Sequence, residues 1–192
     1  MNELLTSYHL NYAHDDDFIR DFVYFSLMKQ ELVDEMVQQL NAEFESYYIY
    51  LSMTGYFESH SWDGLATWMH LQSEEEREHA MKFYNHLIQR GINPELLAIN
   101  APQNNWESPL AVFEEAFKHE QKISEKIHHL MDKAIELKDH GAQNLLSWFV
   151  DEQLEEEATV GAIVERLRRV ASDPNGMMLM DAELGKREEK TL

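Results

Sequence analysis

Cysteine is absent from the 192 residues, so neither a disulfide framework nor a thiolate metal site is available. That usage fits a reducing compartment. No apolar run reaches the ~20 residues that a membrane-spanning helix needs. The start of the chain, Met1 to Asp17, lacks a basic cluster followed by an apolar core and does not read as a secretory signal. These features make a cytoplasmic protein the expectation. Basic side chains are scarce: 16 Lys and Arg stand against 36 Asp and Glu, a formal net charge of −20. Such a balance repels nucleic acid and anionic membranes and is compatible with cation partners. Its plainest reading is a solvated acidic surface. No segment of any length has strand period, so the expected class is all-α.

What is present is a set of long helical stripes. Residues 1–28 do not belong to them. Tyr8, His9, Tyr12, His14 and Asp15 to Asp17 look like an irregular N-terminal extension, with Asp17 as a cap for a short helix through Phe18, Phe22 and Met28. His9, His14 and the aspartates allow a metal-binding reading, a terminal arm being the other. From 29 to 187 the pattern is one domain, with helices expected at about 29–58, 63–90, 109–138, 142–171 and 177–185. Ser61 or Asp63 is the expected N-cap of the second helix, and Gly91 its C-terminal glycine. Ser108 and Pro109 open the third. Between Gly91 and Ser108 there is no period, and Pro94 and Pro102 mark a connection. Extended, it spans up to ~60 Å, against ~43 Å for a helix of about 29 residues. It can therefore run the length of a bundle and start the third helix at the opposite end. Two helices, a long crossover and two more helices are the one-crossover four-helix bundle. The short last helix, with Met177, Met178, Leu179 and Met180, is more apolar than its length requires. It docks on its own bundle or packs against neighbouring subunits.

Each long helix carries an intrusive polar residue in its apolar stripe, close to mid-length. These are Glu43 on the first, Glu76 with His79 on the second, Glu120 on the third and Glu156 on the fourth. Glu76 and His79 are three apart and share a helix face with Leu65, Trp68, Met69, Gln72, Phe83 and Leu87. Midpoints of antiparallel helices share one level, so these side chains should converge. Four carboxylates and an imidazole cannot all stay ionised there without cations. The general pattern for carboxylate-bridged dinuclear sites is one Glu from each of two helices and Glu-x-x-His from each of the others. Here the second Glu-x-x-His is broken, because Thr159 follows Glu156. Oxygen ligands with one nitrogen suit iron, manganese or zinc.

The stretch Asn41 to Tyr50, the Glu75-Glu76-x-x-His79 segment, Lys118 to Gln121 and Trp148-x-x-x-Glu152-Gln153-x-Glu155-Glu156 resemble the ferritin family, its non-haem bacterial members in particular. The resemblance covers about residues 30–187 and implies a ferritin-like four-helix bundle with a fifth C-terminal helix. It implies a first iron position at Glu43, Glu76 and His79. A second would use Glu76 as bridge, Glu120 and Glu156, with Gln153 beside the pair. A third, more inward, would use Glu75, Glu152, Glu155 and Glu156. Tyr50 resembles the tyrosine beside the ferritin centre and Trp148 the nearby tryptophan; both also suit plain packing. The resemblance further implies a homo-oligomeric shell of 24 subunits that oxidises Fe(II) with O2 or H2O2 at a ferroxidase centre and stores ferric oxyhydroxide.

Relatives fit less well. A bacterioferritin would carry the second Glu-x-x-His, and haem on a methionine where this chain has Arg77, so no haem is expected. Rubrerythrin-type proteins need cysteines, and mini-ferritins lack the fifth helix. Ala142 to Leu146 lacks the carboxylates that line threefold pores in animal ferritins. Two other classes stay open on the residues alone: a di-iron oxygenase acting on an organic substrate, and an acidic metal-buffering bundle with no redox role.

Overall fold

A computed structural model of the chain describes residues 28–188, and all of its regular secondary structure is helical. The extension's candidate ligands and its short helix lie outside the described residues. The five helices are α1 (Gln30–Ser59), α2 (Asp63–Gln89), α3 (Pro109–Glu136), α4 (His140–Val170) and α5 (Pro174–Leu184). The all-α four-helix bundle with a short fifth helix is the fold observed. α4 and α5 begin two and three residues earlier than their apolar stripes suggest, because the Asp139 and Asp173 side chains cap them through the N–H groups of Ala142 and Asn175.

α1 packs along α2 and α3 along α4, two helical hairpins joined by the crossover. The crossover is tacked along α1. Asn41 donates to the Glu95 carbonyl and accepts from the Leu97 N–H, and Ser52 donates to the Gln103 carbonyl. Trp106 ends the run, buried edge-to-face against Tyr56 and donating its indole N–H to Glu115 at 2.7 Å. Those contacts explain how a connection this long holds its course.

Three helices end alike. Ser61, Gly91 and Lys138 have φ of 58°, 74° and 55°. In each case the next residue's N–H bonds back five residues: Trp62 to Phe57, Ile92 to Leu87 and Asp139 to Ala134. This is the Schellman closure. Gly91 fills it as expected, whereas Ser61 and Lys138 accept left-handed backbone without being glycine. Ser61 is therefore a helix end rather than the N-cap of α2. That helix has Trp62 at its cap position and no capping bond from it. Its first N–H groups are met instead by Asp181 of α5, whose Oδ1 accepts from Gly64 and Leu65, both at 2.9 Å.

The apolar core falls into two clusters. One, around Tyr50, Phe57, Met69, Phe113 and Leu167, lies toward α5. The other, around Leu32, Met36, Phe83, Ile127 and Phe149, lies at the far end. Between them is a buried polar layer.

Candidate metal centre

The layer contains Glu43, Glu76, His79, Glu120, Gln153 and Glu156, each with 3% or less of its surface exposed. All four helices contribute, at mid-length, because each helix's period turns one or two of these polar residues into the bundle axis. Tyr50 is also fully buried, whereas its neighbour Leu51 is 39% exposed.

Around these groups the protein supplies amide donors. Gln39 donates to Glu43 at 2.8 Å from one turn upstream. Gln72 donates to Glu76 at 3.2 Å, likewise one turn upstream, and across the bundle to Glu156 at 2.8 Å. Gln153 reaches Glu120 Oε2 at 3.3 Å, and the Tyr50 hydroxyl donates to Glu120 Oε1. The paired spacing Gln39-x-x-x-Glu43 and Gln72-x-x-x-Glu76 was readable in the sequence, although the glutamines were not assigned a role there.

Several ligand atoms are left over. Glu43 Oε2, Glu156 Oε1 and both ring nitrogens of His79 are buried without a hydrogen-bond partner. The His79 Nδ1 lies 3.5 Å from Glu76 Oε2, and its Nε2 4.0 Å from Glu152 Oε1. Buried polar atoms without partners are costly. Here they converge in two groups that can hold a metal ion, Glu43 with Glu76 and His79, and His79 with Glu152 and Glu156. Within each group the ligand atoms lie within 4.8 Å of one another.

Burial pushes Glu43, Glu76, Glu120 and Glu156 each up to about 8, and neighbouring carboxylates add to the effect. Burial and the Glu120 carboxylate likewise hold the Tyr50 phenol well above its usual value, so it stays a donor. Near neutral pH the cluster therefore holds protons that a cation would displace.

The remaining candidates divide. Glu152 joins His79 and Glu156. Thr159 is exposed, because α4 turns Glu152, Gln153, Glu156 and Val160 inward. The second carboxylate on α4 thus lies one turn before Glu156, not one turn after it. Glu155 is exposed on this subunit. Glu75 is buried, facing away from Glu76, and meets Arg187 at 2.5 Å. Trp148 lies edge-on to His79, ring centroids 5.4 Å apart, with Lys82 over its face.

A sequence profile of the ferritin-like domain matches residues 33–170. The chain belongs to the ferritin family. This ferritin is 38% identical to a bacterial non-heme ferritin of Bacteroides fragilis over 161 residues, 84% of this chain and 100% of that one. It is 32% identical to a bacterial non-heme ferritin of Staphylococcus aureus over 84% of this chain and 97% of the other. Among solved structures, an open-pore ferritin from the hyperthermophilic archaeon Archaeoglobus fulgidus superposes with a TM-score of 0.83 at 40% identity, covering 84% of this ferritin and 100% of the archaeal chain. A humanized archaeal ferritin gives 0.84 at 40% identity over 85% and 99% of the two chains. In each comparison about one-sixth of this ferritin lies outside the match. No helix among the described residues is long and apolar enough to cross a membrane.

Proposed function

We propose that this ferritin oxidises Fe(II) at the mid-bundle centre and stores the product as ferric oxyhydroxide inside a homo-oligomeric shell of 24 subunits, in the cytoplasm. The observation that carries the reading is the convergence of unpartnered, buried ligand atoms from Glu43, His79 and Glu156 beside Glu76 and Glu120. Carboxylate and imidazole donors suit iron in both oxidation states.

In this reading Glu43, Glu76 and His79 hold one Fe(II), and Glu76, Glu120 and Glu156 hold the second, Glu76 bridging. Each Fe(II) gives up one electron. The pair reduces O2 to H2O2 with two protons, or H2O2 to water with two. The carboxylates lose their own protons as iron binds, so the charge of the incoming ions is offset without a basic residue. Gln72 and Gln153 orient the carboxylates, and Tyr50 fixes Glu120. Glu75, Glu152, Glu155 and Glu156 form a third position on the path inward.

Assembly is supported by the apolar side chains left on the surface: Met178 and Leu179 of α5 are 67% and 72% exposed, and Leu154 is 74% exposed. Side chains of this kind in a well-packed chain mark interfaces. No haem is assigned, since Arg77, which pairs with Glu74, stands where a haem-binding methionine would be needed.

The test is to add Fe(II) in air to metal-free protein, then size the soluble product and count its iron. Hundreds of irons or more retained in one large particle are expected. About two irons per chain with no growing core would point instead to a di-iron enzyme with an organic substrate. In Glu76→Ala and Glu120→Ala, rapid oxidation should disappear; unchanged oxidation would overturn the site assignment.

A further inference from the structure

Arg187 lies just beyond α5, yet its side chain reaches the edge of the metal centre. Its guanidinium stacks over the buried Trp68 ring, 4.5 Å from the centroid. Nη1 donates to the Trp68 carbonyl at 3.2 Å and to Gln72 Oε1 at 2.9 Å, and Nη2 donates to Glu75 Oε2 at 2.5 Å. The bond to Gln72 decides which way that amide faces. With its oxygen turned to Arg187, its NH2 group is the one that meets Glu76 and Glu156. One cation from the end of the chain is thereby linked to three carboxylates of the centre: Glu75 directly, and Glu76 and Glu156 through Gln72.

The pairing with Glu75 is incomplete in an informative way. Elsewhere in this ferritin Arg90 saturates Asp139, meeting both carboxylate oxygens at 2.9 and 2.8 Å, as a structural arginine–carboxylate pair does. Arg187 takes one Glu75 oxygen only. Glu75 Oε1 stays buried with no partner. A divalent cation approaching Glu75 would find one oxygen open and the other held by a positive charge. With Arg187 on one oxygen and no second carboxylate among the described residues between the guanidinium and an incoming ion, the two positive charges would repel each other at Glu75.

We propose that Arg187 is a tethered cation that competes with metal at Glu75 and, through Gln72, positions Glu76 and Glu156. Metal entering the third position must displace the guanidinium, and the displaced tail leaves Gln72 free to turn its amide. Arg187 is a positioning residue, not a ligand. It keeps the inner position weak, so that iron held there passes on instead of accumulating. This rests on the ferroxidase reading above, and the experiment separates the two.

The probe is Zn2+, which cannot be oxidised, titrated calorimetrically into the full-length metal-free assembly. The wild type should bind two Zn2+ per chain tightly and further Zn2+ more weakly. Arg187→Gln should tighten the weaker class about tenfold or more and leave its oligomeric size unchanged. Arg187→Lys, which keeps the charge and loses the fork, should fall between. In a Glu75→Gln background, Arg187→Gln should change nothing further, which a purely structural role of the tail would not produce. Weak-class affinity within twofold of wild type in Arg187→Gln, or an equal shift with and without Glu75, would overturn the proposal while leaving the ferroxidase reading intact. Absence of the tight pair in the wild type would overturn both.

Discussion

The Asp181 carboxylate, on the last helix, accepts from the N–H groups of Gly64 and Leu65, 117 and 116 residues earlier, and so caps the start of α2. Gly64 permits this approach. A Cβ placed there would lie 1.8 Å from the Asp181 carbonyl oxygen, and one at Gly185 would lie 2.9 Å from the Gly64 Cα. Gly64→Ala should therefore dislodge α5 instead of merely crowding it. The expected outcome is a C-terminal segment cleaved early in limited proteolysis, with a lowered melting temperature. Asp181→Ala, which removes the cap alone, should cost about 1 kcal/mol in denaturant unfolding.

Removing the Tyr50 hydroxyl tests the support of Glu120. Tyr50→Phe keeps the ring in its buried place and deletes the donor to Glu120 Oε1. The fold should survive. The initial rate of Fe(II) oxidation, followed by absorbance, should fall by about tenfold or more, because small errors in ligand placement carry large kinetic costs.

Protonation of the centre makes metal binding and stability depend on pH in opposite senses. Burial raises Glu43, Glu76, Glu120 and Glu156 from the ordinary carboxylate value of 4.5 to about 8. Their contribution to the metal-free fold is fully present below the unfolded value and is lost as pH rises through about 8. Thermal melts of metal-free protein should show that loss between about pH 5 and 8. Zn2+ replaces the protons, so the gain in melting temperature on adding Zn2+ should be larger at pH 8 than at pH 6. Binding should also release protons into a weakly buffered solution. An unchanged Zn2+ effect across that range would contradict the assigned burial of charge.

Two helix ends hold non-glycine residues in left-handed backbone, Ser61 at φ 58° and Lys138 at φ 55°, both exposed. Left-handed backbone costs an L-residue roughly 1–2 kcal/mol, part of which glycine gives back as unfolded-state entropy. Ser61→Gly and Lys138→Gly should each stabilise the chain by about 0.5–1 kcal/mol in denaturant unfolding.

The helical stripes were legible because burial here follows period. The residues from Leu65 to Leu87 chosen for α2 are all buried, and the mid-helix glutamates stand out against such a background. Period fails where a neighbouring element, not the helix itself, decides the outcome. Tyr47 lies one turn after Glu43 on α1, yet Ser46 is the residue buried at that level, with His119 from α3 bonded to it at 2.7 Å. The cap of α2 was out of reach because its acceptor is distant in sequence. Arg187 was missed for the same reason, as nothing in the order of residues ties it to Glu75.

The two apolar clusters that flank the polar layer bear on how much change the centre tolerates. Each cluster gathers side chains from both helical hairpins, so each end of the bundle can clamp the four helices on its own account. The layer between them is spared the duty of holding the helices together. A polar residue of the layer, Gln153 for instance, can therefore be replaced while the scaffold persists. Substitutions in the layer should cost metal binding before they cost the fold.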